Sequence, residues 1–478
     1  MSVFNQSLLL KTPYHLADFL TECHLAFLQG KQTRFVSVAF VLRRFHPLAI
    51  LQASRLIHSH HFYFEREADC FIGLGKAIQL TVESRDRFAQ TRELIEDLSG
   101  QILRVNAFES GDAFAWGSAA TMPHNRFFCN FAFFEQNSSA NSTTPQATIL
   151  LPRWQVEQTA LGAFAIVNLA LHPNFTPELE ARKVWQELTV IRQARSFTPH
   201  STSIVYQTQT VAGSKRYQES VKRALQSIAQ GHLDKVVLAE ALDVVADKPF
   251  DRIAALHNLR HQHPSCYIFS ASAGADETFI GASPERLAVV QAGQLQTEAL
   301  AGSAPRGRTD AEDLQFAQAL LASEKESHEH QLVIDFIQQR LDGLGISSTI
   351  EPARLLQLTN IQHRHTPIGA SLPLHVHVLD VIGSLHPTPA MAGLPREIAC
   401  QHIQHYEACD RGWYAAPIGW VDTAGNGEFA VGIRSALLHG DRARLFAGAG
   451  IVAGSDPERE YQEVQLKLNA LLTALNPH

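Results

Sequence analysis

The sequence predicts an α+β fold, antiparallel sheets with helices on their outer faces, on three observations. Strand-like apolar runs follow one another at hairpin spacing, long helical stretches alternate with them, and 45% of the 478 residues are hydrophobic against 18% charged. That content buries a large core, as one very large domain or two ordinary ones, and excludes disorder as the main theme. Forty Lys and Arg against 47 Asp and Glu give a formal net charge of −7 with histidine neutral. No Lys/Arg-rich run tracks a phosphate backbone, so nucleic acid is not expected as a partner. The 24 histidines suit metal ligation, proton transfer or a weakly charged surface.

In chain order, Leu8 to Leu10 is soon followed by Asp18 and Glu22, which fits neither a signal nor a transit peptide. Arg34 to Leu42 and Ala147 to Leu151 read as strands, with helical stretches around 86–99 and 176–195. The longest apolar run, Leu161 to Leu171, is broken by Asn168 and is too short for a bilayer. Six cysteines at 23, 70, 129, 266, 400 and 409 form no C-x-x-C pair, so reduced thiols in a soluble cytoplasmic protein are expected. Gln136 to Gln146 and Ser196 to Ser203 have loop composition. The second divides an N-terminal α+β part, 1–200, to which no chemistry is assigned, from a catalytic part, 201–478.

After that boundary, Lys215 to Gln230 sets Tyr217, Val221, Ala224, Leu225 and Ile228 on one helical face, and Gly231 stops the helix. Strand-like Val236 to Val245 follows, then a meander from Phe279 to Val290 and Leu295 to Ala301, and one long helix from about Asp310 to Leu341. Further strands are expected near Val376 to Ser384, Ile418 to Val421, Glu428 to Leu438 and Arg444 to Ala447. Ser455-Asp456-Pro457-Glu458 fits a capping box with Ser455 as N-cap of a terminal helix.

On that helix Glu460 and Glu463 lie three apart, with Lys467 a turn further along, and Glu326 and Glu329 have the same spacing in the earlier helix. Either pair alone is most simply a solvated helix face. Converging, the two pairs would make an all-oxygen site for a hard cation such as Mg²⁺. The strands contradict an all-helical prenyl-transfer setting, and the Glu-x-x-His of a di-iron bundle is absent. The glycines from Phe446 to Gly454 are no dinucleotide loop, since too little chain follows for a second strand and an acidic ribose ligand. They serve a tight turn or the approach of backbone N–H groups to a ligand carboxylate. Cys400, His402, His405 and Cys409 share no helical face, which speaks against zinc. His328 and His330 read as neighbours of a site, and His363 is the histidine retained for one.

Taken together, the long motifs resemble the chorismate-utilising enzymes, and among them the isochorismate synthases of the menaquinone and phylloquinone type. They are Lys235-Val-Val-Leu-Ala, Gly281-Ala-Ser-Pro-Glu285-Arg-Leu, Thr297-Glu-Ala-Leu-Ala-Gly302-Ser, His386-Pro-Thr-Pro-Ala, Gly393-Leu-Pro-Arg, Arg411-Gly-Trp-Tyr414, Gly427-Glu-Phe-Ala-Val-Gly-Ile-Arg434-Ser and the Ala-Gly-Ala-Gly segment with its Glu-x-x-Glu-x-x-x-Lys helix. The match covers roughly residues 215–475. It implies the fold of aminodeoxychorismate and anthranilate synthase component I, two orthogonally packed antiparallel sheets flanked by helices, with 1–200 as the other part of the same framework. It implies chorismate as substrate, its ring carboxylate bound through Mg²⁺. Glu329 and Glu463 match the metal ligands, and Glu326 and Glu460 match carboxylates acting directly or through water. Arg434, Tyr414, Lys467, His363 and the backbone at Gly302 and Gly450 match substrate-binding positions. Lys235 resembles the general base and Glu285 the general acid of a reaction that adds water at C2 and expels the C4 hydroxyl.

Lys235 also separates reactions within the resemblance. Ammonia-adding relatives such as anthranilate synthase usually carry Gln there, and the nucleophilic Lys of aminodeoxychorismate synthases is matched by Ala301. A salicylate synthase, which eliminates pyruvate from isochorismate, stays open as the alternative, as does a catalytically silent chorismate-binding protein. A monomer or weak homodimer, free of membrane, is expected. Three departures from the family pattern are Glu240 for Arg, Ala416 for Gly and Arg364 for Leu. The first two are expected to tune activity.

Overall fold

The computed structural model describes residues 6–10, 12–55, 57–108, 123–135, 144–199, 204–273, 276–357 and 361–475. Most of the loop Gln136 to Gln146 and the end of Ser196 to Ser203 lie outside them. Two large sheets carry the molecule. The larger has 14 strands and runs, by residue range, 6–9, 102–108, 35–42, 162–170, 154–159, 69–74, 61–66, 267–272, 277–283, 435–439, 442–452, 235–246 and 206–210, with 393–394 paired to the start of 235–246. The smaller has, among the described residues, ten strands, including 286–291, 294–305, 361–371, 417–422, 427–431 and 126–131. Strands from before and after residue 200 therefore share both sheets. Pairing is antiparallel except at one edge, where 102–108 lies parallel to both 6–9 and 35–42.

Alternating apolar residues on strands of both sheets meet in an aromatic layer between them. Phe62 and Phe64 of the larger sheet face Phe128 and Trp420 of the smaller, with the Phe62 and Phe128 rings stacked at 4.4 Å. Helices cover the remaining faces. Ser214–Ala229 buries Tyr217, Val221 and Ala224, the face its periodicity predicts. The terminal helix Pro457–Leu475 packs Val464, Leu468, Leu471 and Leu472 inward. No helix of the described residues is long and apolar enough to cross a membrane, and all six cysteines are free.

Four sequence expectations are corrected. The helix from Asp310 to Leu341 is two, Asp310–Ala322 and Glu324–Asp342, because Ser323 leaves helical geometry and its hydroxyl accepts from the Glu326 amide at 3.3 Å. Val376 to Ser384 is no strand: Val378–Leu385 is helical, its apolar residues 378, 379, 381, 382 and 385 keep helical period, and His377 with Asp380 forms a capping box. The N-cap of the terminal helix is Asp456, which accepts from the Arg459 amide at 2.9 Å, while Ser455 accepts from Val452 in the turn before it. Finally, Glu428 to Leu438 is two strands and not one, and its two strands, like the two of the Phe279 to Val290 meander, belong to different sheets.

Candidate active site

Those two divisions build the site. Strand Glu277–Ser283 lies in the larger sheet and Arg286–Gln291 in the smaller, so Pro284-Glu285 is the step between sheets. Gly432 to Arg434 is a second step, from Gly427–Val431 to Ser435–His439. The steps bond to each other: the Val431 amide donates to the Glu285 carbonyl and the Ala282 amide to the Arg434 carbonyl, both at 3.1 Å. Gly281 allows this approach, since a Cβ there would lie 2.9 Å from the Arg434 carbonyl oxygen. Arg434 itself is held at φ 48, a left-handed conformation uncommon for arginine.

A cavity of about 330 Å³ opens beside the two steps. It brings together all twelve residues singled out above: Lys235, Glu285, Gly302, Glu326, Glu329, His363, Tyr414, Arg434, Gly450, Glu460, Glu463 and Lys467. Lys235 starts strand Lys235–Ala246 and is flanked by Val452 on one side and Leu394 on the other. Its Nζ lies 3.9 Å from Glu329 Oε2. Burial pushes its pKa down, with Glu329, Glu285 and Glu326 opposing and Lys467 adding to the fall. Glu285, 7% exposed, is pushed up to about 8 by burial and by the charge of Glu298, with Lys235 opposing.

The glycines make room for these groups. A Cβ at Gly450 would meet Lys235 Cε at 3.0 Å, and one at Gly448 would meet the Tyr414 hydroxyl oxygen at 3.1 Å. Gly302, at φ 78, forms the bulge between Ala301 and Ser303, where a Cβ would stand 2.9 Å from Glu326 Oε2. The glycine segment after Phe446 is thus mostly strand, Arg442–Val452, and only Gly454 makes the turn. His363 shares a hydrogen bond with Ser303 Oγ at 2.8 Å. Burial, then Arg434 and Lys467, push its pKa down to about 4, and its Nε2 finds no hydrogen-bond partner among the described residues.

The two carboxylate pairs face the same cavity from different helices, each beside a lysine. Lys467 Nζ binds Glu463 Oε1 at 2.7 Å and the Gly448 carbonyl at 2.9 Å. Among the described residues no group of three or more His, Cys, Asp or Glu stands at metal-holding distance. His330 turns away, its Nε2 bonded to Thr366 Oγ1 at 2.8 Å.

Sequence reasoning gave no role to Arg411, which lines the cavity with its side chain fully buried. It donates to the Met391 and Val237 carbonyls, both at 2.9 Å, and to both oxygens of Glu407, tying the Lys235 strand to the chain ahead of Tyr414. Arg411 stood inside a quoted motif, whereas nothing in the sequence pointed to Glu407. Three departures from the family pattern acquire structural roles. Glu240 is not among the residues lining the cavity and accepts from the amides of Ala212, Gly213 and Ala241, supporting the start of helix Ser214–Ala229. Arg364 donates to the Leu321 carbonyl at 2.9 Å, at the end of helix Asp310–Ala322. Ala416 accepts from the Gly432 amide at 2.8 Å, inside the second step between sheets.

The profile of the family described as chorismate binding enzyme matches residues 18–476. Isochorismate synthase MenF of Bacillus subtilis is 31% identical over 88% of this chain and 89% of its own. The salicylate biosynthesis isochorismate synthase of Pseudomonas aeruginosa is 43% identical, over 55% of each chain. Among solved structures, the menaquinone-specific isochorismate synthase MenF of Escherichia coli superposes with a TM-score of 0.74 at 28% identity, covering 95% of this chain and 99% of that one. Anthranilate synthase component I of Streptococcus pneumoniae, at 21% identity and a TM-score of 0.67 over 86% and 92% of the chains, shares the fold. The chain therefore belongs to the chorismate binding enzyme family, among its isochorismate synthases.

Proposed function

We propose that this protein isomerises chorismate to isochorismate for menaquinone formation, with Lys235 as general base and Glu285 as general acid. The observation that carries the reading is their opposed perturbation within one cavity: burial drives the lysine toward its neutral form and the carboxyl toward its protonated one. Lys235 takes a proton from water as its oxygen bonds to C2. The ring double bonds shift, and the C4 hydroxyl leaves with the proton of Glu285 as a second water. The oxygen gained equals the oxygen lost, so the reaction is a reversible isomerisation, and return of the proton from lysine to carboxylate resets the pair.

Arg434, Tyr414, Lys467, His363 and the backbone at Gly302 and Gly450, which line the cavity, would hold the dianion in a protein of net charge −7. The four carboxylates supply the hard oxygen donors Mg²⁺ prefers, from two helices facing one cavity, so the donor set fits. Glu329 and Glu463 would hold the ion, Glu326 and Glu460 would support it directly or through water, and it would supply positive charge against the substrate's ring carboxylate. The 43% identity to a salicylate-pathway isochorismate synthase makes salicylate the second product to look for. Purified protein is incubated with chorismate and Mg²⁺, with and without ammonium, and the products resolved by NMR. Isochorismate alone supports the proposal. Salicylate with pyruvate transfers it to a salicylate synthase, and anthranilate, or full turnover by Lys235→Gln, overturns the role of Lys235.

A further inference from the structure

Behind Glu285 lies a second buried carboxylate that the reaction leaves unused. Glu298, on strand Gln294–Pro305, accepts at Oε1 from the Arg286 amide at 3.1 Å, and that N–H belongs to the peptide unit that follows Glu285. Its Oε2 stands 2.9 Å from His365 Nε2. Arg354 Nε donates to His365 Nδ1 at 3.4 Å, so the ring proton sits on Nε2 and points at Glu298. The side chains of His365 and Glu298 are 9% and 7% exposed. Thr297 Oγ1 donates to the Leu287 carbonyl at 2.7 Å and fixes the register of the two strands beside the pair.

The charged and titratable groups around the pair are few. Glu298 faces Glu285, His365 and the Arg286 guanidinium, and that guanidinium is itself bonded to Tyr267, whose hydroxyl donates to Glu428. Glu285 faces Glu298 and Lys235. Burial works against charge on Glu298, yet His365, the Arg286 guanidinium and the Arg286 amide outweigh it and hold this carboxyl below its usual range. The Glu298 and Glu285 carboxyls thus have different environments: around the first stand His365, the Arg286 amide and the Arg286 guanidinium, around the second, among the described residues, Glu298 and Lys235. A fixed negative charge beside a buried acid disfavours its ionisation, which is how neighbouring carboxyls divide roles.

We propose that Glu298, fixed by His365 and the Arg286 amide, is a positioning residue whose charge keeps the proton on Glu285 until the leaving hydroxyl takes it. The inference rests on Glu285 being the general acid. Its test therefore reads the Glu285 carboxyl directly, without turnover, by infrared titration of the protonated-carboxyl band that Glu285→Gln removes. Glu298→Gln, nearly isosteric but uncharged, is expected to lower the midpoint of that band by about one unit, and with it the Glu285 limb of the kcat profile, about tenfold in activity on that limb. Glu298→Asp keeps the charge and is expected to keep the midpoint near that of the parent protein. A folded Glu298→Gln protein with an unmoved midpoint overturns the proposal, whatever its loss of activity or stability. If Glu298→Gln does not fold, the shorter pair Glu298→Asn and Glu298→Asp makes the same comparison with the same expectation. Full turnover by Glu285→Gln would remove the general acid instead, and the midpoint comparison would still judge Glu298 by itself.

Discussion

Glu285→Gln is expected to give a protein that is inactive and more stable. Folding carries this carboxyl from a reference value of 4.5 to about 8. Between those values the folded chain binds a proton that the unfolded chain has released, so native stability falls as pH rises through the window. At about 1.36 kcal/mol per unit, the burial of Glu285 costs roughly 3 kcal/mol at pH 7 and roughly 5 kcal/mol above pH 8. The amide of Gln does not titrate, and leaving part of it unsatisfied offsets about 1–3 kcal/mol of the gain at every pH. The pH dependence of the difference therefore isolates the carboxyl. Urea unfolding of both proteins at several pH values from 4.5 to 8 should show the variant gaining on its parent by roughly 3 kcal/mol between pH 4.5 and 7. Parallel stability curves would refute the reasoning, because an acid that ionises normally in the folded state cannot stay protonated for a leaving group at neutral pH.

Lys235→Met is expected to have the opposite slope: a buried amine with a lowered pKa costs stability below its folded pKa, and the gain on removing it should fade as pH climbs toward 10.5 in the same unfolding assay. In Gly450→Ala the new Cβ would stand 3.0 Å from Lys235 Cε, so the amine must shift. A fall in kcat of about tenfold or more is expected, with the thermal midpoint nearly unchanged, since a small misplacement of a reacting group costs far more in rate than in stability. Arg411→Met leaves the Glu407 carboxyl buried without its arginine, so unfolding should show a loss of about 3–5 kcal/mol, largely recovered when Glu407 is also replaced by Met. Glu240→Ala strands three amides and should cost about 1–3 kcal/mol with turnover retained.

The sequence carried most of the site and less of the fold. Glu326 with Glu329 and Glu460 with Glu463 were legible because helical spacing puts each pair on one face. Lys235, Glu285 and Arg434 were legible because they stand inside long motifs. The motif around Glu285 also held Gly281, whose need for a bare backbone is visible only in the fold, where the Phe269 ring and the carbonyl of Arg434, 153 residues later in the chain, close on it. What stayed hidden was tertiary. Val378–Leu385 looked like a strand because its Val, Leu and Ile content fits either period, and only the His377 and Asp380 caps decide it. The break at Ser323 replaced a continuous apolar pattern with a capped restart. Glu298 and His365 are 67 residues apart, and their pairing follows from the register of two strands.

The two steps between sheets explain why Glu285 and Arg434 stand outside regular strand backbone. A residue inside a strand has its amide and carbonyl committed to the ladder and its side chain committed to one face. Glu285 and Arg434 sit where the chain leaves one ladder and has not joined the next, so their side chains can point into the space between sheet edges. The cost is borne by exchanged backbone bonds between the steps, Val431 to Glu285 and Ala282 to Arg434, and by Gly281. Lys235 takes the other solution. It begins its strand opposite Val452, two residues along from Gly450 on that neighbouring strand, so the amine crosses the sheet surface in the space a side chain at Gly450 would fill. A lysine on the larger sheet and a carboxyl at the step to the smaller one therefore reach a single cavity from separate supports. Either can be buried to the degree its pKa requires, because neither shares a strand with the other.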